Sequence, residues 1–248
     1  MAEGIDGELT RRYLDRAVDG RMVAVIDREL EGAGSVLDAG CGSGLYGPYL
    51  RRRAATVIGI DHDPALCEHA GATGAYDRVI CDRVERLRDH VTEVDVVFCS
   101  ELLEHLPNRE LPGVLEVLEA VARRELIITV PNRLSPHAHM DPTHVLRYRL
   151  GWLLAELDRS RRFTYSLHPL GFADRWRRQP WCRPLDAVAS RVALLSPTVL
   201  YLGVRRNLGD GHDPGVGRDP GVGHVPGVAG DPEVHRDPGV GHDPGVGP

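Results

Sequence analysis

Apolar and polar positions along the chain follow two different periods in turn. Between residues 8 and 31 the apolar side chains fall at Leu9, Leu14, Val18, Met22, Val25, Ile26 and Leu30, which is the spacing of one amphipathic helix or two short ones ended by the glycines at 32 and 34. Short continuous apolar runs follow: SVLDA ahead of a cluster of glycines, TVIGID at 56–61, DRVIC at 77–81, VDVVFCS at 94–100, and ELIITV at 125–130, stopped by Pro131. Between them LYGPYLRRR, ALCEHAG after Pro64, ELLEHL and LPGVLEVLEAVARR read as helical segments. Strands separated by single helices need crossover connections, so these five predict a parallel sheet. Beyond Pro131 a polar stretch, NRLSPHAHMDPTH, precedes a helix near 148–158, and RFTYSLHPLG and TVLYLGVRR supply two last strands with the helix DAVASRVALL between them. The expected architecture is α/β: a doubly wound, Rossmann-like, seven-stranded, mostly parallel sheet with helices on both faces.

Composition changes this picture at the C-terminal end. Residues 209–248 hold 12 of the 28 glycines and 7 of the 18 prolines in a degenerate DPGVGH repeat with nothing to bury, so the expectation is a folded domain over 1–208 and a disordered repeat tail over 209–248. No apolar run approaches the roughly 20 residues of a membrane span. Acids stand at the N-terminus where a signal peptide needs basic and apolar residues, and the five cysteines are scattered without a CxxC pair, so the expected setting is cytoplasmic, with neither a disulfide framework nor a zinc knuckle. Of the net charge of −6 the tail contributes −5, leaving 29 acids against 28 bases in the folded part, all of the bases arginine. A near-neutral domain lacks the broad positive field of a protein that grips long nucleic acid.

The strongest chemical signal is DAGCGSG. At Gly40, Gly42 and Gly44 absent side chains let the backbone approach a ligand facing the next helix N-terminus. Gly42, Gly44 and Gly47 also spell GxGxxG, so glycine spacing alone admits a dinucleotide. The surrounding acids argue otherwise. Asp38 ends the first strand, where its carboxylate would attract an ammonium group and repel a pyrophosphate; Asp61 ends the second, placed to accept ribose hydroxyls; Asp82 follows the third, within reach of an adenine amino group. Three carboxylates without a basic phosphate clamp describe a zwitterionic nucleoside that carries an amino acid, S-adenosylmethionine. VLDAGCGSG resembles the first motif of the class I S-adenosylmethionine-dependent methyltransferases, and VIGIDHDP, ICDRVERL, FCSELLEHLPN and LIITVPN resemble the segments that follow it in that family, in the same order, over about residues 30–132. The resemblance implies that Asp38, Gly40 and Gly42, with Gly44 in the same turn, hold the methionine part, Asp61 with its neighbour His62 the ribose, Asp82 and Arg83 the adenine, and that Ser100 floors the cleft.

A second signal is SELLEHL together with DPTH. On a helix Glu101, Glu104 and His105 share one face at i, i+3 and i+4, and His144, which follows the fifth strand, is placed to close the same site. Two carboxylates and two imidazoles make a first shell for Mg, Mn or Zn, while the same cluster at a helix start also serves simply to complement the helix dipole. Without a metal, His105 or His144 could act as general base. The pattern resembles the ExxEH helix and later His of the small-RNA 3'-terminal 2'-O-methyltransferases, and the ExLEH segment of the ubiquinone-biosynthesis O-methyltransferases. His137, His139 and Asp141 add candidate contacts, the stretches 132–148 and 172–181 are placed to cover an acceptor, and Trp176 and Trp181 could stack on a flat ring. The expected activity is O-methylation of a small-molecule hydroxyl, the catalytic residues being His105 and His144. The alternatives are methylation of an RNA end, which the missing RNA-binding domain and near-neutral charge disfavour, a nicotinamide-dependent oxidoreductase, which Asp38 argues against, and a non-catalytic cofactor-binding module whose working part is the tail.

Overall fold

The computed structural model describes residues 17–132, 143–145, 150–172, 179 and 181–206. In chain order these form α1 (Gly20–Glu29), β1 (Ser35–Ala39), α2 (Gly47–Arg51), β2 (Thr56–Asp61), α3 (Pro64–Ala72), β3 (Arg78–Cys81), β4 (Val94–Ser100), α4 (Leu111–Val121), β5 (Ala122–Pro131), α5 (Leu150–Leu157), β6 (Phe163–Pro169), α6 (Cys182–Ala189) and β7 (Thr198–Arg205), with short 3-10 turns at Val84–Asp89, Leu103–His105 and Ala193–Leu195. Local chemistry sets the boundaries. Asp19 caps α1 by accepting from the Arg21 amide at 3.0 Å, and Asp63 caps α3 by accepting from the Ala65 and Leu66 amides at 2.8 and 3.2 Å, with Pro64 at the first helical position, where no amide hydrogen is needed.

The strand order is β3-β2-β1-β4-β5-β7-β6. β1 to β5 pair in parallel, and β7 alone is reversed, lying antiparallel to both β5 and β6. Successive residues of the central strands feed opposite layers. Leu37, Ala39, Val97, Cys99, Leu126 and Ile128 join Leu111, Val114 and Leu118 of α4 on one face, whereas Val36, Phe98 and Ile127 join Met22, Val25 and Ile26 of α1 and Leu50 of α2 on the other. Burial on both faces is why these strands read as unbroken apolar runs.

The sheet's two ends differ. At the N-terminal end Asp95 accepts from the Gly34 and Ser35 amides at 2.7 and 3.0 Å, its own amide donates to Ser35 Oγ, and Arg123 reaches its carboxylate at 2.6 Å, a lock between β1, β4 and β5. The C-terminal ends of β1, β2, β4 and β5 bring the glycine turn, Asp61, Ser100 and Pro131 to the opposite edge, where ligands of doubly wound sheets bind.

Several elements depart from expectation. The first helix is described only from Gly20, the earlier part of 8–31 lying outside the described residues. LPGVLEVLEAVARR is helical only to Val121, because β5 starts at Ala122, three residues early, to pair with Val94. The last helix forms earlier than expected, over Cys182–Ala189, and Ala193–Leu195 is a separate turn. The tail over 209–248 lies outside the described residues. Among the described residues no helix is long and apolar enough to cross a membrane.

Phe98 is 1% exposed at the middle of β4 and meets Tyr46 edge-on at 5.6 Å between ring centroids. Phe98→Ala is expected to lower the unfolding free energy by about 3–5 kcal/mol, read as a shifted urea midpoint with unchanged slope.

Candidate functional site

The site begins where β1 ends. Gly40, Gly42 and Gly44 all take positive φ, 73°, 51° and 81°. Ile60 O accepts from both the Gly40 and Cys41 amides, at 2.9 and 3.0 Å, which folds the turn over the end of β2. Nothing lies within 4 Å of where a Gly42 β-carbon would stand, so that side of the turn is open, whereas one at Gly44 would come within 2.9 Å of Ala70 Cα, so only glycine lets the turn lie on α3.

Beneath the turn Asp38 is buried, and the Tyr76 hydroxyl donates to its Oδ2 at 2.7 Å. The Tyr76 ring lies under the same turn: β-carbons at Gly44, Gly47 and Gly59 would all approach it within 3.1 Å. Burial pushes the Asp38 carboxyl up to about 7; the Tyr76 hydrogen bond opposes that rise and the nearby Asp61 charge adds to it. Asp61 behaves oppositely. Desolvation would raise it, but hydrogen bonds from His62, from the Asp63 amide (3.0 Å) and from the Gly42 amide (2.8 Å) hold it below the usual carboxylate range. Asp82, at the end of β3, accepts from His90 Nε2 and the Arg83 amide, both at 2.8 Å, and is held low chiefly by His90. The Arg83 guanidinium reaches Glu85 at 2.6 Å and Glu110 at 3.2 Å. Ser100 Oγ lies 3.0 Å from Thr129 Oγ1 at the floor between β4 and β5.

The segment after β4 is not the expected α-helix. Glu101 takes φ 54° and its amide donates to Thr129 O at 3.0 Å; only Leu103–His105 turn, as a 3-10 segment. Glu101, Glu104 and His105 therefore do not share a helix face. Glu104 and His105 nevertheless meet His144, the ligand atoms of the three lying within 4.8 Å of one another, while Glu101 is outside this group. His144 Nε2 stands 3.9 Å from Glu104 Oε1, the two imidazoles meet edge-on at 4.8 Å between centroids, and Thr143 Oγ1 lies 2.9 Å from His105 Nδ1. Glu104 is 0% exposed and His144 5%. A buried carboxylate needs hydrogen-bond donors, a shared proton or a cation beside it, and one carboxylate with two imidazoles is a donor set that suits Zn or Mn.

Sequence reasoning does not single out Tyr76, His90 or Thr143. Thr143 stands inside DPTH, where the histidine draws attention; Tyr76 and His90 lie in no motif, and only the fold brings them to Asp38 and Asp82. His137, His139, Asp141 and Trp176 lie outside the described residues, and Trp181 is 55% exposed.

Residues 36–125 match the family model of a methyltransferase domain. A ubiquinone biosynthesis O-methyltransferase of Shewanella pealeana is 40% identical over 78 residues, 29% of this chain and 33% of the relative, so the match spans about a third of that protein. Among solved structures, an S-adenosylmethionine-dependent methyltransferase from Archaeoglobus fulgidus aligns with a TM-score of 0.57 at 17% identity over 75% of this chain and 93% of its own. The methyltransferase domain of bacterial CtHen1-C aligns with a TM-score of 0.55 at 19% identity over 75% and 95%. These structural likenesses establish the fold.

The Asp38 carboxyl binds its proton more tightly folded than unfolded, so stability falls as pH rises from about 4 to about 7, by at most about 1.4 kcal/mol per pH unit, and is level above that. Asp38→Asn is expected to remove this decline and to be the more stable protein at pH 8; a wild-type urea midpoint that rises over pH 4 to 7, with the Asp38→Asn substitution making no difference, would contradict the assignment.

Proposed function

We propose that this chain, which carries a class I S-adenosylmethionine-dependent methyltransferase domain, transfers a methyl group to a small-molecule hydroxyl with help from a divalent cation. The observation that carries the reading is the convergence of Glu104, His105 and His144 at the same end of the sheet as the glycine turn and Asp38. S-adenosylmethionine, when bound, supplies an electrophilic methyl group. The open face at Gly42 leaves room for it, and the three carboxylates match its amino-acid and nucleoside parts. Asp38 holds the ammonium group, with the Tyr76 hydroxyl fixing the carboxylate rotamer from below. Asp61 accepts from the ribose hydroxyls in exchange for the Gly42 amide, and Asp82 from the adenine amino group with His90 behind it. Gly40 and Gly44 shape the turn, His62 and Arg83 flank the nucleoside, and Ser100 closes the floor.

A divalent cation held by Glu104, His105 and His144 would act as Lewis acid, making an acceptor hydroxyl more acidic. Glu101, at the end of β4 and outside that group, is a further acid on the same connection. Thr143 orients the His105 ring, and His105 or His144 takes the proton if no cation is bound. Most of the rate then comes from holding hydroxyl and methyl in line. A ribose 2'-hydroxyl at an RNA end is a second acceptor of the same chemistry, favoured by the likeness to the bacterial CtHen1-C domain and disfavoured by a near-neutral domain charge.

Three outcomes are expected. Calorimetric titration of S-adenosylhomocysteine, which keeps the ammonium group, should show affinity rising with pH through about 7 as Asp38 ionises, and Tyr76→Phe should move that midpoint upward. Affinity independent of pH between 6 and 8 would remove Asp38 from the site. In the S-adenosylhomocysteine-loaded full chain, Mn should occupy a site that a Glu104→Gln, His144→Ala variant lacks, leaving any weak binding by the tail histidines unchanged. Thr143→Val should weaken that site by about 10–100-fold. If wild type and double variant bind Mn identically, the cluster is not a metal site and a metal-independent transferase remains.

A further inference from the structure

The glycine turn and the turn that carries Glu104 and His105 touch through one side chain. A β-carbon at Gly40 would stand 3.0, 3.1 and 3.2 Å from Leu102 Cδ1, Cβ and Cγ, so Leu102 rests on the Gly40 backbone and any side chain there would push it aside. Leu102 is also tied to the second site. Its carbonyl accepts from the His105 amide at 3.1 Å, and it leads directly into the 3-10 turn Leu103–His105, in which Leu103 and Glu104 are 0% exposed. On its other side the Glu101 amide is fixed to Thr129 O of β5. The connection that leaves β4 is thus anchored to the sheet at one end and buried at the other, and between the two Leu102 lies on the glycine turn.

This contact has a mechanical consequence. Gly40, Gly42 and Gly44 all hold positive φ, and glycine is the residue that loses most freedom when one conformation is fixed. A cofactor seated on the turn orders it, and with it the surface on which Leu102 rests. A cation that comes to Glu104, His105 and His144 then meets a backbone already in place, the ordering cost having fallen on the first ligand. Charge works the other way. Burial raises the Cys99 thiol, and the Glu104 and Asp38 carboxylates both add to the rise, so the two acids flank one buried side chain. An ammonium group on Asp38 cancels a negative charge that would attract a cation nearby, so an affinity that increases on cofactor binding reports packing. We infer that Leu102 is a positioning residue that couples the two sites, occupancy of the glycine turn tightening cation binding at Glu104, His105 and His144. The inference rests on the cofactor and cation sites proposed above. By linkage, a cation must tighten cofactor binding by the same factor.

Calorimetric titration of Mn into the full chain, with and without saturating S-adenosylhomocysteine, tests it, the Glu104→Gln, His144→Ala variant supplying the background of other sites. Mn affinity is expected to rise about fivefold or more when S-adenosylhomocysteine is bound, and S-adenosylhomocysteine affinity by an equal factor when Mn is bound. Leu102→Ala should bring both factors to one or below, and Leu102→Met, which refills the space, should restore them. A Leu102 that only supports the fold would shift the thermal melt and leave these factors alone. If Leu102→Ala does not fold, Leu102→Val, which removes less of the side chain, is read in the same way. Mn bound equally or more weakly by the loaded wild type overturns the inference and leaves both sites standing, as does a factor that shortening Leu102 does not change. Mn binding by wild type that matches the double variant, loaded or not, overturns the inference together with the cation site.

Discussion

A carboxylate buried at the end of a central strand is an unfavourable thing to build a sheet around, and much of this molecule is arranged about Asp38. The Tyr76 hydroxyl donates to it, and the Tyr76 ring is in turn the floor on which the glycine turn rests: Gly44, Gly47 and Gly59 have no side chains because that ring occupies the space. The same contact thus fixes the acid, shapes the turn and joins β1, β2 and α2. In the absence of a cationic partner the cost falls on stability near neutral pH, where the group should ionise and burial resists it. A cation bound beside the ionised Asp38 would offset that cost.

The two ends of the sheet divide these duties. At the N-terminal end Asp95 is satisfied by two amides and by Arg123, and carries no unmet demand. At the C-terminal end Asp38 and Asp61 stand at the ends of β1 and β2, Asp61 against the Gly42 amide of a turn that is open beside Gly42, and the ligand atoms of Glu104, His105 and His144 come together after β4 and β5.

The strands β1 to β5 and the glycine turn can be read directly from the chain because central parallel strands are buried on both sides and show as unbroken apolar runs, and because three closely spaced glycines after such a run have few other uses. ELLEHL misleads for a physical reason. Glu, Leu and His at those spacings satisfy every local preference for helix, yet Thr129 O captures the Glu101 amide and the chain must turn at φ 54° to leave β4, a tertiary demand without local signature. The grouping of Glu104, His105 and His144 holds all the same, because strand topology, not helix periodicity, brings residues 104 and 144 together. Tyr76 and His90 are invisible in the chain for a related reason: each is an ordinary side chain made important by a partner on a different element.

The position of β7 has a consequence for how the molecule comes into being. It is the last strand among the described residues, yet it lies between β5 and β6, pairing with β5 from Glu125 to Pro131 and with β6 from Phe163 to Pro169. Until residues 198–205 leave the ribosome, β5 presents a bare apolar edge and β6 has no neighbour in the sheet. The nascent chain can assemble the half that carries the glycine turn early, but the edge that borders the histidine cluster must wait for the final strand. During synthesis that interval is the period of greatest exposure to misassociation, and it closes when β7 pairs with β5 on one side and β6 on the other.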